Sequence, residues 1–226
     1  DGGYGSVFEM LNATSFAKLL IRKEKTLDEV AKMSVELLKL IHSKTVKPNT
    51  MPDMRQIALK GAGFLEEYLP AEQYKKLYSL VENVPEDPHM MHGDYHIKNI
   101  MLQDGEALLI DMDTLCYVHP LFELASMFNA YKGYAALDHM VVEKFLGISY
   151  DTACAFWEKS LRLYLGTEDE ARLLEVENKA GIIGYTRIMR RAIRRGGQDD
   201  EGGRAVIENC RKELAELLSK VDTLLF

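Results

Sequence analysis

Hydrophobic residues recur at helical spacing along most of the chain. In the clearest case Thr26 and Glu29 have the spacing of a capping box, and apolar residues then repeat on one helical face: Leu27, Val30, Met33, Leu37, Leu38 and Ile41. The pattern also predicts a short strand over residues 6–10 and a helix over 13–23 that starts at Thr14 or Ser15. Further helices are predicted at roughly 53–68, 71–83, 120–132, 136–145, 151–165, 168–195 and 203–225. The chain is therefore expected to be mostly helical.

Two short apolar runs, 100–102 and 107–110, interrupt the helical pattern. They flank the sequence Gln-Asp-Gly-Glu, in which Asp104 and Gly105 supply the positive-φ positions of a tight turn. A β-hairpin is therefore predicted here. It would bring Asn99, which precedes the first strand, beside Asp111, which follows the second.

The residues at the ends of this hairpin have the spacing of a phosphoryl-transfer site. Residues 92–99 read His-Gly-Asp-Tyr-His-Ile-Lys-Asn, and residues 110–113 read Ile-Asp-Met-Asp. In the kinase catalytic loop, Asp accepts the substrate hydroxyl proton, Asn five residues later binds a metal, and a later Asp completes the Mg²⁺ site with a further oxygen ligand. We therefore predict Asp94 as the catalytic base, and Asn99 and Asp111 as Mg²⁺ ligands.

Neighbouring residues allow more than one interpretation. Asp113 either joins the metal site or only orders its loop. His92 is expected to pack and hydrogen-bond within the catalytic loop, whereas His96 either approaches the γ-phosphate, as the catalytic-loop lysine of protein kinases does, or is an ordinary loop histidine. The alternative function is a metal-dependent phosphohydrolase, which leaves Asn99 unexplained but would use these residues as metal ligands: His92, Asp94, His96, Asp111 and Asp113.

The two motifs, followed by His-Pro-Leu-Phe-Glu-Leu-Ala at 119–125, resemble the aminoglycoside phosphotransferase and choline kinase family. His119 and Glu123 stand where that family usually has Asp. The resemblance covers mainly residues 4–131 and implies an α+β, mostly helical fold, the C-terminal lobe of a protein-kinase-like structure with a small β-hairpin carrying the metal site. It also implies ATP or GTP as donor, Mg²⁺, and a small hydroxyl acceptor such as an aminoglycoside, sugar or amino alcohol.

The beginning of the chain contains a glycine cluster typical of a kinase phosphate-binding loop. A second strand and a lysine-bearing strand would have to follow such a loop, but a helix pattern follows instead. The order resembles the last strand of an N-terminal lobe and the interlobe hinge. On that interpretation the adenine edge meets the backbone of Glu9, Met10 and Leu11, and Met101 and Ile110 form the apolar floor of the nucleotide pocket.

This interpretation divides the chain into residues 1–11, the end of the N-terminal lobe and hinge, and residues 12–226, a helical C-terminal lobe with a variable acceptor region at 130–226. The N-terminal lobe is then largely absent, so the chain alone is expected to be inactive. A catalytically silent binding module is a further alternative. Self-association is expected through the uncovered interlobe face around Val7, Phe8, Met101 and Ile110.

The net charge and the cysteine content limit the classes of partner and the cellular compartment that are expected. A net charge of −7 argues against nucleic acid as a default partner and favours a cationic acceptor. The three cysteines are few and odd in number, which predicts reduced thiols in a cytoplasmic protein, and no signal peptide or membrane span is predicted.

The short interval between Asp111 and His119 has no room for an activation segment and favours a small-molecule acceptor over a protein.

Five arginines form a dense basic cluster near the end of the predicted helix 168–195. Cations there complement the negative end of the helix dipole, so a solvated last turn explains them. A site for an anionic substrate or partner explains them as well. The five are Arg187, Arg190, Arg191, Arg194 and Arg195.

Overall fold

The computed structural model describes residues 10–47 and 49–226. Helices dominate this part of the chain, as the apolar periodicity predicts. The strands are β1 (Thr14–Ser15), β2 (Met90–Met91), β3 (Ile100–Gln103), β4 (Glu106–Leu109) and β5 (Cys116–Tyr117). The helices are α1 (Phe16–Ile21), α2 (Leu27–His42), α3 (Met54–Phe64), α4 (Ala71–Glu82), α5 (Leu121–Tyr131), α6 (Met140–Leu146), α7 (Tyr150–Leu165), α8 (Glu170–Arg194) and α9 (Glu201–Lys220). Short 3-10 turns lie at Met112–Thr114 and Gly133–Ala135.

Helix starts follow the capping residues that the sequence indicates. The Thr26 hydroxyl accepts a hydrogen bond from the Glu29 amide at 3.2 Å, and the Glu29 carboxylate accepts one from the Thr26 amide at 2.8 Å. Ser15 caps α1 in the same way, accepting from the backbone amide of the first turn. The capping box and the Ser15 cap satisfy amides that would otherwise lack partners at the helix ends.

Several predicted elements have other bounds in the structure, and the helices predicted over 53–68 and 203–225 end earlier, at Phe64 and Lys220. The helix predicted over 13–23 begins only at Phe16, because Thr14 and Ser15 pair with β3 and leave the helical conformation. The helix predicted over 136–145 begins at Met140, after the 3-10 turn Gly133–Ala135. In the predicted strand over 6–10, residues 6–9 lie outside the described residues, and Met10 is not in a strand.

The predicted hairpin is confirmed. Strands β3 and β4 pair antiparallel with Ile100 opposite Leu109, and the turn residues Asp104 and Gly105 have φ angles of 52° and 86°. β1 adds to the free edge of β3, which gives the sheet order β1-β3-β4. A second small sheet pairs β2 with β5. In sequence these two strands flank residues 92–99, the predicted catalytic loop, and residues 110–113, the predicted metal motif.

Helix α8 packs on α5 at close range. A Cβ atom on Gly184 would lie 2.6 Å from the Asn129 Oδ1 atom and 2.8 Å from the Phe128 Cδ1 atom, so only glycine permits this approach. The Asn129 side-chain amide also donates to the Gly184 carbonyl at 3.2 Å. Because Ser126 of α5 contacts Gly93 of the catalytic loop, the contact of α8 with α5 sets the last turns of α8 beside that loop.

Among the helices of the described residues, none combines the length and the apolar character that crossing a lipid bilayer requires.

Candidate active site

Glu123, in the first turn of α5, holds the catalytic loop. Its carboxylate accepts hydrogen bonds from the backbone amides of His92 at 2.6 Å and Gly93 at 3.0 Å. The Ser126 hydroxyl donates to the Gly93 carbonyl from the next turn. Glu123 is fully buried, and this burial raises the pKa of its carboxyl group to about 7. The residue that stands in place of the family's Asp therefore fixes the start of the loop.

Gly93 is required by both conformation and space. Its φ angle is 85°, and a Cβ atom there would lie 2.4 Å from the Thr114 carbonyl oxygen. The Thr114 hydroxyl donates to the His92 carbonyl at 2.8 Å, so the catalytic loop and the turn after the metal motif are in direct contact. A side chain at position 93 would separate them.

Both ring nitrogens of His92 are occupied inside the protein, as expected for a residue that orders the loop. The Nδ1 atom accepts from the Asp94 amide at 3.3 Å, so the proton is on Nε2, which lies 3.0 Å from the Ile110 carbonyl oxygen. Burial lowers the pKa of His92 and keeps it neutral. The imidazole thus connects the catalytic loop to the residue before Asp111, and neither nitrogen is available to a metal ion.

Asp94 lies half-exposed at the centre of the site. The His96 Nε2 atom is 3.5 Å from the Asp94 Oδ2 atom, and this interaction holds the pKa of Asp94 below its ordinary value, with a further contribution from the positive charge of Arg187. The His96 ring is buried and packs edge-on against Phe145 of α6, with ring centroids 5.0 Å apart. The structure therefore places His96 between Asp94 and a wall of the neighbouring cavity.

The hairpin brings the predicted metal ligands into register. The Asn99 side-chain amide donates to the Asp94 carbonyl at 3.0 Å, which leaves its Oδ1 atom as the potential ligand. The Ile110 amide donates to the Asn99 carbonyl at 3.0 Å, so Asp111 follows directly beside Asn99. Asp111 has a φ of 62°, and both it and Asp113 are exposed. An amide oxygen with one or two carboxylates fits the oxygen preference of Mg²⁺.

The described residues contain no cluster of three or more His, Cys, Asp or Glu side chains arranged to hold a metal ion. The histidines of the 92–99 segment instead contact protein groups. Among the described residues, the five of the phosphohydrolase alternative are therefore not arranged as a three-ligand metal site, and Asn99, Asp111 and Asp113 remain predicted Mg²⁺ ligands.

The outer face of the hairpin is apolar. Side chains alternate along a strand, and Ile100, Leu102 and Leu109 pack on the helical core. Met101 and Ile110, on the opposite face, are half-buried and lie outside that core. At the hinge predicted from the sequence, Met10 and Leu11 are exposed, whereas Val7, Phe8 and Glu9 lie outside the described residues.

A cavity of about 550 Å³ opens beside Asp94. One wall is the apolar side of α6 with Val141, Val142 and Phe145. The opposite wall comes from α8 and carries Arg187, Arg191 and Arg195. The sequence left the arginines between a solvated helix end and a site for an anionic substrate or partner, and it did not place the α6 residues in the site. The four-residue spacing of the arginines was a usable signal, but only the packing of α8 on α5 shows which face meets Asp94.

The family model of the phosphotransferase enzyme family (APH) matches residues 2–156 of the chain. No curated protein matches it in sequence. Among solved structures, a thermostable mutant of aminoglycoside phosphotransferase APH(4)-Ia, in ternary complex with ADP and hygromycin B, is 15% identical and has a TM-score of 0.56. The alignment covers 94% of this chain and 71% of that protein.

Two further structures are similar. A choline/ethanolamine kinase family protein from Mesorhizobium loti is 13% identical, with a TM-score of 0.53 and coverage of 93% of this chain and 67% of its own. ADP-bound aminoglycoside phosphotransferase APH(2'')-Ib is 16% identical, with a TM-score of 0.51 and coverage of 97% and 72%. These similarities and the helical content confirm the expected mostly helical, kinase-related fold.

Proposed function

Because the chain belongs to the phosphotransferase enzyme family, we propose that it transfers the γ-phosphate of ATP or GTP to a hydroxyl group of a small molecule. The observation that carries this proposal is the position of Asp94. Its carboxylate opens on the 550 Å³ cavity, and its backbone carbonyl binds the Asn99 amide, which ties it to the hairpin end with Asp111. A hydroxyl group in the cavity can therefore reach the carboxylate close to the proposed metal ligands.

In the proposed reaction the substrate hydroxyl oxygen forms the new bond to the γ-phosphorus atom, and the bond to the β-phosphate bridging oxygen breaks. The hydroxyl proton passes to the Asp94 carboxylate. The lowered pKa of Asp94 makes it a weak base, so its main contribution is to hold the hydroxyl in line, with proton transfer late in the reaction.

The remaining roles follow from the donor sets. The Asn99 Oδ1 atom and the Asp111 carboxylate would hold Mg²⁺, with Asp113 as a further oxygen ligand. When bound, Mg²⁺ neutralises charge on the phosphates. The apolar hairpin face with Met101 and Ile110 is suited to the nucleotide base, whose edge the backbone of residues 9–11 would meet. All three cysteines are unpaired, which supports a reducing cytoplasmic location.

The test is an acceptor screen with the full-length product of the gene, in which ADP formation is measured across sugars, amino alcohols, aminoglycosides and hydroxy acids. Acceptor-dependent ADP formation that needs Mg²⁺ supports the proposal. If no acceptor raises ADP formation above the hydrolysis rate, although the protein binds nucleotide, the phosphotransferase assignment for this chain is overturned.

The metal roles are tested separately by titration calorimetry with a non-hydrolysable nucleotide and Mg²⁺. Asn99→Ala and Asp111→Ala should each weaken Mg²⁺-dependent nucleotide binding by about tenfold or more, because each removes an oxygen ligand of the bridging metal. Asp104→Asn, in the turn at the other end of the hairpin, is the control and should bind normally, because Asn tolerates the positive φ of that position. Unchanged metal dependence in both test variants would refute the assigned ligands.

A further inference from the structure

The arginines of α8 form a stripe that faces the catalytic aspartate. Arg187, Arg191 and Arg195 are spaced four residues apart, so their Cα atoms follow one helical face at intervals of about 6 Å. All three line the cavity that contains Asp94, whereas Arg190 and Arg194 line an adjoining cavity that shares these three arginines and Tyr134. The stripe therefore runs from the reaction centre towards the outer part of the cavity.

The positive charge of this stripe is not neutralised within the described part of the chain. None of its three arginines has a carboxylate within ion-pair distance among residues 10–47 and 49–226, and Asp94 is the only acidic residue among the described cavity-lining residues. The Arg191 guanidinium donates to the Tyr134 hydroxyl at 3.3 Å and lies over that ring at 5.6 Å, contacts that orient the group without cancelling its charge.

A solvated helix end does not account for this arrangement. The helix dipole favours cations only in the last turn, which includes Arg191 and Arg194 and is followed by the C-cap residue Arg195, so it does not explain Arg187. Arg187 lies about two turns before the end of α8, is half-buried, and contributes to the charge around Asp94. Like charges gathered in one partly enclosed cavity repel one another unless an anion lies between them.

On the basis of the proposed function, we infer that the acceptor carries an acid group, either a phosphate or a carboxylate. The stripe of Arg187, Arg191 and Arg195 binds this acid group while the acceptor hydroxyl lies at Asp94. The planar guanidinium fork matches the paired oxygens of either acid group. A polycationic acceptor would meet the same stripe with like charge. Although the net charge of the chain favours a cation, the local charge of the cavity is positive, and the local charge decides which ligand is bound there.

The apolar wall limits the rest of the acceptor. Val141, Val142 and Phe145 of α6 face the stripe across the cavity and offer a surface for a sugar ring or an aliphatic chain. The acceptor class is thus a small hydroxylated acid such as a sugar phosphate or a hydroxy carboxylate, with the acid group set back from the reacting hydroxyl along α8.

Binding is tested first, without any requirement for turnover. Titration calorimetry of the full-length protein uses inorganic phosphate, glycerol 3-phosphate and glycerate as acidic probes, and glycerol and choline as neutral and cationic ones. Acidic probes should bind more tightly, and the double variant Arg187→Gln/Arg191→Gln should weaken that binding about tenfold or more. Arg172→Gln, in the first turn of the same helix, is the matched control. The relative affinities of phosphate and carboxylate probes then identify which acid group is preferred.

A kinetic experiment distinguishes two roles of the arginine stripe: recognition of the acceptor, and stabilisation of the phosphoryl group during its transfer. The ratio of kcat/KM for an acidic acceptor to that for its neutral analogue should fall about tenfold in Arg191→Gln and less in Arg191→Lys, which keeps the charge and loses the fork. Each of three results would overturn the inference. These are equal losses of kcat/KM for both acceptors, binding of acidic probes that the double variant does not weaken, and a preference for cationic acceptors. Arginine-dependent binding of acids without any phosphoryl transfer would instead refute the proposed function and leave the anion site established.

Discussion

At the residue scale, Asp94 combines half-exposure, a lowered pKa and a position at the mouth of the cavity. We predict that Asp94→Asn lowers kcat by about 10²-fold or more, because the amide cannot accept the hydroxyl proton or orient the hydroxyl as strongly. Nucleotide affinity should remain nearly unchanged, since the Asp94 side chain is not among the proposed metal ligands. Steady-state kinetics and nucleotide titration on the same preparation decide this. Turnover close to that of the wild type would remove Asp94 from the role of base.

Glu123 provides a prediction for stability against pH. Burial raises its pKa in the folded protein to about 7, above the ordinary value of 4.5, so the folded state holds the proton more tightly than the unfolded state. The free energy of unfolding should therefore fall as pH rises between these two values and then level off. The loss due to this group is at most about 3 kcal/mol.

The measurement is urea unfolding at several pH values for the wild type and Glu123→Gln. The histidine nearest to Glu123 is His42, whose pKa burial lowers to about 4, so it stays neutral over the window in both proteins. The difference between the two curves then isolates Glu123, and it should decrease with rising pH. Parallel curves would show that Glu123 titrates as an ordinary carboxyl group.

The sequence predicted the chemistry of single residues better than their environment. The five-residue spacing of Asp94 and Asn99 is local, so it could be recognised directly. The contacts of Glu123 with His92 and Gly93 span about thirty positions of chain and could not be derived from spacing alone. The same holds for the Arg187 stripe, whose orientation depends on how α8 packs.

At the scale of elements, the close contact of α8 with α5 determines where the basic stripe lies. Gly184→Ala would place a methyl group 2.6 Å from the Asn129 Oδ1 atom and 2.8 Å from Phe128, both of which are buried. We predict a loss of about 1–3 kcal/mol in the free energy of unfolding, even though alanine is the better helix former. The displaced helix should also raise KM for acidic acceptors.

Gly202→Ala, at an exposed position in the first turn of α9, is the control, since its nearest neighbour would be 3.4 Å away. That variant should be neutral or slightly more stable in the same thermal or urea unfolding experiment. An equally stable Gly184→Ala protein would mean that the α5–α8 contact can relax without cost.

Elements with strong local signals were predicted well. The capping box at Thr26 and the Asp104-Gly105 turn specify their structures through neighbouring residues. β1 was missed because a two-residue strand has no periodicity of its own and exists only by pairing with β3. The start of α6 was missed because residues 136–139 form bends and a turn, in which the Asp138 carboxylate accepts from the Met140 amide at the start of the helix.

At the scale of the whole molecule, a chain with net charge −7 presents a positive cavity wall at its proposed acceptor site. The net charge of the chain and the charge of the cavity wall have opposite effects on the binding of an acidic ligand. The distributed negative charge repels it over long distances, and the Arg187, Arg191 and Arg195 stripe attracts it within the cavity. At moderate ionic strength the screening length is about 10 Å, so contacts inside the cavity should dominate the binding equilibrium.

We therefore predict that the affinity for glycerol 3-phosphate decreases as sodium chloride is raised from about 0.02 M to about 0.5 M, because salt screens the attraction by the stripe. The decrease should be shallower in Arg191→Gln, which has one fewer cation in the cavity, and unchanged in Arg172→Gln, at the other end of α8. Binding of neutral glycerol should be nearly independent of salt. Titration calorimetry at each salt concentration gives the slopes. If repulsion by the net negative charge dominated, added salt would instead strengthen the binding of the acidic ligand, and the stripe would not be the group that recognises it.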